Sequence, residues 1–214
     1  MKLSKEAMTL YAVTDRAWLN GRTLAEKVEG ALKGGITFLQ LREKELSDWE
    51  FLTEAKEILA LSRRYGVPMV INDNIEVAVK SGADGLHIGQ DDGDVKEARR
   101  LIGNEKILGV SVQTVDQAVA AAEDGADYLG VGAMFPTDTK SNAIIVTKEE
   151  LKAISRAVDI PIVIIGGINK KTVPEFKGWG ADGAAVVSAI FAEEDSCLAA
   201  KNLLQLCQEV FNNV

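Results

Sequence analysis

The chain has 214 residues, of which 47% are apolar and 26% charged, proportions that are ordinary for a soluble globular protein. Its formal net charge of −8 argues against a nucleic-acid partner, which demands a basic protein face, although locally concentrated positive charge or a metal could still bind a small polyanion. The sequence has no apolar run of about 18 residues and no secretory signal core near its start, so we expect no membrane span and a cytoplasmic location.

Eight short apolar segments, rich in β-branched residues, alternate with amphipathic stretches along the chain. The amphipathic stretches, such as TLAEKVEGALKG and TVDQAVAAAEDG, have helical periodicity, and one further helix is predicted to begin near Lys170. Most of the apolar segments are apolar on both faces, which is typical of a parallel sheet covered by helices. The strands are predicted over 10–15, 37–44, 68–73, 85–90, 107–112, 128–135, 161–167 and 183–190.

Similar glycine turns precede the even-numbered strands. They begin at Gly34, Gly82, Gly125 and Gly180, and each interval between them holds two strand–helix units. Glycine suits the end of a helix because the chain turns there through positive φ. Eight strand–helix units, repeating in pairs so that each pair is one quarter of a barrel, indicate closure into a single (β/α)8 TIM barrel over residues 1–214. The length is sufficient, because this fold needs about 200 residues or more.

The second strand carries the most informative alternation. If its leucines face the helices, then Gln40, Arg42 and Lys44 share the face that points into the barrel mouth. The alternative is a strand end whose charges simply reach solvent. Two cations and an amide on one inward face favour an anionic ligand, and catalytic groups in such barrels lie at the carboxyl-terminal ends of the strands.

Acidic residues follow the third and fourth strands. Asn72-Asp73 ends the third strand and Gln90-Asp91-Asp92 follows the fourth, and neighbouring strands lie about 4.8 Å apart. The carboxylates could share one hard cation, for which Mg2+ is the natural candidate because it takes few carboxylates and leaves positions for water and phosphate oxygens. The competing interpretation is helix capping, since Asp and Asn are ordinary N-caps.

Hydroxyls and glycines dominate the later strand ends. Ser111 lies on the fifth strand, and the loop at 135–140, with two hydroxyls and a lysine, is either a ligand loop or a polar surface turn. Gly166-Gly167 and Val187-Ser188 end the last two strands, where glycine amides and helix N-termini commonly hold a phosphate. Packing alone could also require the glycines. The layout predicts two ligands, one held by cations and metal and the other by a backbone phosphate site.

His87 is the only histidine, and it lies within the fourth predicted strand. A hydrogen-bonded histidine in the barrel wall is at least as good an interpretation as a catalytic one. Neither Cys197 nor Cys207 lies at a strand end. A histidine base or a cysteine nucleophile is therefore poorly supported, and we expect the site to act by electrostatics.

An ordered series of short motifs resembles the thiamine phosphate synthase family. The resemblance covers nearly the whole chain, and the ordered set is specific although each motif alone is weak. The motifs are Tyr11-Ala12-Val13-Thr14-Asp15, Gln40-Leu41-Arg42-Glu43-Lys44, Asn72-Asp73, Gly89-Gln90-Asp91-Asp92, Gly109-Val110-Ser111, Pro136-Thr137-Asp138-Thr139-Lys140, Ile165-Gly166-Gly167-Ile168 and Val186-Val187-Ser188-Ala189-Ile190.

The resemblance implies a reaction and a set of residue roles. The family uses Mg2+ to condense 4-amino-5-hydroxymethyl-2-methylpyrimidine diphosphate with a thiazole phosphate, or its carboxylate, to thiamine phosphate and pyrophosphate. The pyrimidine diphosphate would contact Gln40, Leu41, Arg42, Glu43, Lys44, Asn72, Ser111 and Lys140, with catalytic roles for Arg42, Lys44, Ser111 and Lys140. The thiazole phosphate would contact Thr137, Asp138, Thr139, Gly167, Val187 and Ser188, and Mg2+ would bind Asp73 and Asp92.

The implied mechanism is dissociative. The amino-pyrimidine can stabilise a positive charge on its methylene once pyrophosphate leaves, so no proton need be removed in that step.

Thiazole tautomerases share the fold and stay in contention, although a tautomerase has no diphosphate–metal cluster to serve. A phosphate-binding aldolase or epimerase would need a Schiff-base lysine or a histidine metal set, and a non-catalytic precursor-binding protein is the third alternative. Association into a homo-oligomer is left open.

Overall fold

The computed structural model describes residues 3–137 and 144–211, which form a closed barrel of parallel strands. Each strand pairs in parallel with the next, and the eighth pairs with the first. The strands are β1 Leu10–Val13, β2 Phe38–Leu41, β3 Met69–Asn72, β4 Gly85–Ile88, β5 Ile107–Val112, β6 Tyr128–Val131, β7 Ile162–Ile164 and β8 Gly183–Val186. The predicted TIM barrel is confirmed.

Helices connect the strands and cover the outside of the barrel. Their starts follow local chemistry: Thr23 and Ser47, for example, form capping boxes with a glutamate three residues further on. The α-helices are α1 Leu24–Lys33, α2 Asp48–Arg64, α3 Ile75–Ser81, α4 Val95–Ile102, α5 Val115–Glu123, α6 Lys148–Ala157, α7 Ser188–Phe191 and α8 Ser196–Phe211, and 3-10 helices occur at Glu6–Met8, Arg16–Trp18 and Val173–Phe176.

Four strands end three or four residues before their predicted ends, at Leu41, Val131, Ile164 and Val186, and one predicted helix is only a short turn. The eighth strand ends at Val186 rather than at 190, because the chain bends at Val187 (φ −113°, ψ −85°) and continues as the one-turn helix α7. The helix predicted to begin near Lys170 is only the 3-10 helix Val173–Phe176, which starts at a proline-containing turn. This turn is too short to cover its side of the barrel alone. The helix α8 packs against the turn and against β8, and so covers part of this side.

The quarter-barrel repeat has a structural role at the amino-terminal end of the barrel. After each glycine turn, one polar residue precedes an even-numbered strand, and its side chain accepts a hydrogen bond from an amide near the start of the preceding odd-numbered strand, at 2.8 to 2.9 Å. These acceptors are Thr37, Asp84, Asp127 and Asp182. They satisfy strand amides that the ladder leaves unpaired. The opposite end of the barrel is left for ligands.

Two apolar layers meet at the barrel wall. Leu39, Leu41 and their counterparts on other strands pack outward against the helices. Inside the barrel, Tyr11, Phe38 and Tyr128 are fully buried and pack edge to face, with ring centroids 4.8 to 5.8 Å apart. Within the two described ranges, no helix has both the length and the apolar character needed to cross a bilayer.

Candidate active site

The end of β2 alternates as predicted. Gln40 lies inside the barrel, where its Nε2 donates a hydrogen bond to the Tyr11 hydroxyl, whereas Leu41 is buried in the outer layer. Glu43 also turns outward, and its Oε2 accepts a hydrogen bond from Arg16 Nε at 2.7 Å. Any contact of Leu41 or Glu43 with a ligand at the barrel mouth would therefore come from the main chain.

Each of the two cations at the end of β2 is paired with an aspartate. Arg42 Nη1 lies 3.1 Å from Asp15 Oδ2, and Lys44 Nζ lies 2.6 Å from Asp73 Oδ2. The side chain of Arg42 is 22% exposed and that of Lys44 is 52% exposed. Both cations are thus held in place and remain accessible to an anion. Asp15 is not among the residues predicted for the site, because its role depends on β1 and β2 being neighbours.

Asp73 and Asp92 come together at the ends of β3 and β4. Burial raises the pKa of the Asp73 carboxyl, Lys44 lowers it, and the nearby carboxylate of Asp92 raises it again. Asp92 Oδ2 also accepts a hydrogen bond from Gly89 N at 2.8 Å, which orients it. Two carboxylates held this close repel each other, so the pair favours a shared cation.

The capping interpretation of these acids is wrong. Asn74, not Asp73, caps α3 by accepting a hydrogen bond from Val77 N, and Asp94, not Asp92, caps α4. Asp73 also has a φ of 62°, a left-handed conformation that is uncommon for residues with a side chain and is tolerated best by Asp and Asn. The chain accepts this backbone cost where it positions a carboxylate, which points to a functional role.

A chain of hydrogen bonds, here called the barrel chain, runs through the interior and links Gln40, Tyr11, Tyr128, His87 and Ser111. The successive distances are 2.6, 2.7, 2.8 and 2.8 Å. Burial lowers the pKa of His87 to about 4, against a smaller opposing effect of Asp92, so the imidazole is neutral at pH 7. His87 is therefore a hydrogen-bonded residue of the barrel interior, and both of its nitrogens are engaged.

The two tyrosines of the barrel chain were missed as interior polar groups. The sequence marks Tyr11 only as the start of a motif and Tyr128 only as a strand residue. Side chains alternate along a strand, and Tyr11 and Tyr128 fall on the positions of β1 and β6 that face the barrel interior. This alternation was the sequence signal that could have identified them. Their pairing across the barrel is a contact between residues 117 positions apart, which no local pattern encodes.

The glycines predicted to hold a phosphate are also needed for packing. Gly166 and Gly167 have φ values of 89° and 68°. A Cβ on Gly166 would lie 2.4 Å from the Cβ of Ala133, and a Cβ on Gly167 would lie 2.5 Å from the Cβ of Phe135. Positive φ and contact with the loop after β6 thus account for both residues. A ligand contact by Gly167 stays a prediction.

The remaining residues predicted to contact the thiazole phosphate, and Lys140, which is predicted to contact the pyrimidine diphosphate, follow β6 and β8. Thr137 is half-buried in the loop after β6, whereas Asp138, Thr139 and Lys140 lie outside the described residues. Val187 stands at the N-cap position of α7, and the side chain of Ser188 is exposed at its start. The positions of Thr137, Val187 and Ser188 are compatible with a ligand at the mouth, and the roles of all these residues stay predictions.

Glu43, Glu54 and Arg16 form a partly buried charge cluster behind β2. Arg16 binds both glutamates, and one oxygen of each, Glu43 Oε1 and Glu54 Oε2, is buried without a hydrogen-bond partner among the described residues. Burial and the adjacent Glu54 raise the pKa of Glu43 to about 7 despite the attraction of Arg16. A proton on Glu43 allows it to donate to Glu54, so the protonated cluster is the better satisfied one.

This cluster predicts a pH-dependent stability. Because the folded-state pKa of Glu43 is raised, its stabilising contribution is complete below about pH 4.5 and is lost as the pH rises through about 7. The free energy of unfolding of the wild type, relative to Glu43→Gln, should therefore fall between pH 5 and pH 8 in urea denaturation. Glu50→Gln on α2, the helix that also carries Glu54, is the control: hydrogen bonds from Ser47 lower the pKa of Glu50, so its contribution changes only in more acidic solution. A flat difference for Glu43→Gln would contradict the assignment.

A (β/α)8 barrel with two accessible cations, a carboxylate pair and a buried polar chain at its carboxyl-terminal rim defines a TIM-barrel enzyme that acts on an anionic small molecule. A sequence profile described as thiamine monophosphate synthase matches residues 10–190. The chain belongs to this family.

Individual relatives agree with the profile. The chain is 48% identical over 195 residues to a thiamine-phosphate synthase of Clostridium beijerinckii. The aligned residues cover 91% of this chain and 93% of the relative. A thiamine-phosphate synthase of Chloroflexus aurantiacus is 48% identical over 198 residues, covering 92% and 91%. The solved structure of thiamine phosphate pyrophosphorylase from Pyrococcus furiosus superposes with a TM-score of 0.89 at 36% identity, covering 96% and 98%. The family and the synthase activity predicted from the ordered motifs are thereby confirmed.

Proposed function

We propose that the chain joins 4-amino-5-hydroxymethyl-2-methylpyrimidine diphosphate to a thiazole phosphate, or its carboxylate, and releases pyrophosphate by a dissociative route. The observation that carries this proposal is the set of opposite charges at one rim: Arg42 and Lys44 stand beside Asp73 and Asp92 at the ends of adjacent strands. Such a set suits a leaving group that gains negative charge as its bond to carbon breaks.

The rim also fits a magnesium ion. Asp73 and Asp92 supply hard oxygen donors in contact with each other, and Mg2+ is usually held by one or two carboxylates together with water and substrate phosphates. No group of three or more His, Cys, Asp or Glu side chains suited to a metal occurs in residues 3–137 and 144–211. When bound, Mg2+ would supply Lewis-acid stabilisation of the departing pyrophosphate.

The protein groups supply binding and orientation rather than proton transfer. Arg42 and Lys44 hold the diphosphate oxygens with charge-assisted hydrogen bonds, and Ser111 adds a neutral one. His87 is neutral and bonded at both nitrogens, which supports a step without a histidine base. The thiazole nitrogen then attacks the pyrimidine methylene, forming the carbon–nitrogen bond after the carbon–oxygen bond to pyrophosphate has broken. Lys140, which lies outside the described residues, is proposed as a further cation for the diphosphate.

A direct assay tests the proposal. Purified protein is mixed with both substrates and Mg2+, and thiamine phosphate and pyrophosphate are expected in equal amounts by mass spectrometry and phosphate analysis. Omitting either substrate or chelating Mg2+ should remove both products. Binding of the substrates without product would indicate a precursor-binding protein, and isomerisation of the thiazole without joining would indicate a tautomerase; either result would contradict the proposal.

A further inference from the structure

The direction of the barrel chain is decided at Gln40. The amide nitrogen of Gln40 can only donate, so the Tyr11 hydroxyl accepts there, and its one proton goes to its other partner, the Tyr128 oxygen. Tyr128 then donates to His87 Nδ1. A ring nitrogen that accepts a hydrogen bond carries no proton, so the imidazole proton lies on Nε2, and Nε2 donates to Ser111 Oγ. One fixed end thus orders every proton in the chain.

This direction leaves the Ser111 proton for a ligand. Ser111 accepts from His87, and His87 is the one hydrogen-bond partner of Ser111 Oγ within the described ranges. Ser111 is half-buried near the carboxyl-terminal end of β5, on the rim that carries the charged groups. Phosphate oxygens accept hydrogen bonds, so a serine that donates complements them. The reverse direction would present a serine lone pair to an anion.

The surroundings keep the barrel chain in this geometry. A Cβ on Gly109 would lie 2.1 Å from Tyr128 Cζ and 2.3 Å from its hydroxyl oxygen, so glycine is what makes room for that hydroxyl. Phe38 packs against the rings of both tyrosines. Leaving one of these buried groups without a partner would cost its desolvation, and members of such a chain polarise one another. The protons are therefore expected to be ordered together.

We propose that the barrel chain fixes Ser111 as a hydrogen-bond donor to the diphosphate, with Tyr11, Tyr128 and His87 as positioning residues that act through it. The identity of the anion rests on the proposed function. The direction of the chain does not, and it can be measured without substrate.

Nitrogen-15 NMR of the histidine ring tests the direction. His87 is the only histidine, so its two ring resonances need no assignment by mutagenesis. In the ligand-free protein at pH 7.5, we expect a protonated Nε2 and an unprotonated, accepting Nδ1. Tyr128→Phe removes the donor to Nδ1 but keeps the ring, and should give a mixture of the two tautomers. Tyr11 is one hydrogen bond further from His87, and Tyr11→Phe should shift the spectrum in the same sense. It replaces Tyr128→Phe as the test if that variant does not fold.

The third tyrosine provides a matched control. Tyr65→Phe removes an exposed hydroxyl that donates to Glu29, and it should leave the His87 spectrum unchanged. A proton on Nδ1 in the wild type would overturn the proposal. So would spectra of Tyr128→Phe and Tyr11→Phe that are identical to the wild type.

Binding of pyrophosphate with Mg2+ tests the link to Ser111. By calorimetry, Ser111→Ala should weaken the affinity about tenfold, the loss expected for one hydrogen bond to a charged group. Tyr128→Phe should weaken it about threefold, and the double variant should bind no more weakly than Ser111→Ala alone. A purely structural role of Tyr128 would instead give additive losses and would overturn the proposal. If the wild type has the expected tautomer but does not bind pyrophosphate, the ligand assignment fails together with the proposed function, while the direction of the chain is upheld.

Discussion

Replacing Asp73 or Asp92 by alanine is expected to abolish Mg2+-dependent turnover while leaving the fold intact. The two carboxylates are in contact at the rim, and their loss removes the donors that we assign to the metal. Metal stabilisation of a departing group is worth several kcal/mol, so the rate should fall by about three orders of magnitude or more. Initial rates across a Mg2+ titration measure the effect, and circular dichroism checks the fold.

Two further variants make this test specific. Asp73→Asn keeps a residue that tolerates the positive φ of this position, so it separates loss of charge from backbone strain, and it should be as inactive as Asp73→Ala. Asp91→Ala removes an exposed acid next to Asp92 and should retain wild-type activity, because it is Asp92 that interacts with Asp73. The helices should persist in all variants, since Asn74 and Asp94 provide the caps. Wild-type-like rates in both Asp73→Ala and Asp92→Ala would remove the metal assignment.

Arg42→Ala should weaken binding of the pyrimidine diphosphate far more than binding of the thiazole phosphate. Arg42 lies at the end of β2, is partly exposed and is held by Asp15, so its guanidinium is oriented before a ligand arrives. Loss of a charge-assisted hydrogen bond costs about 1.5 to 3 kcal/mol, which is roughly a 10- to 150-fold weaker affinity. Isothermal titration of each ligand separately gives the two dissociation constants.

The controls for Arg42 address charge and shape. Arg100→Ala removes an exposed arginine that is paired with Glu97 on α4, and it should leave both affinities unchanged. Arg42→Lys keeps the charge but loses the planar fork of donors, so it should recover only part of the affinity. Equal weakening of the two ligands by Arg42→Ala would contradict the division of the rim into two half-sites.

Local patterns in the sequence determined the order of elements and the content of the rim. Strand and helix periods are properties of neighbouring residues, so all eight strands and the inward face of β2 could be predicted. The glycine turns indicated the quarter-barrel repeat, because positive φ is a local requirement. In the first turn, however, it is Gly35 that has positive φ, whereas Gly34 has a φ of −75°. Errors occurred where a local signal was incomplete, as at the end of β8, where apolar residues continue from a strand into a short helix.

Tertiary structure decided which polar groups meet. The sequence could not distinguish the acids that face the rim from those that cap helices, because Asp73 and Asn74 are adjacent and suit either role. It did not reveal the barrel chain or the Arg16–Glu43–Glu54 cluster, whose members come from distant parts of the chain. Such contacts arise only when the barrel closes and sets strand register, since register determines which inward side chains lie opposite one another.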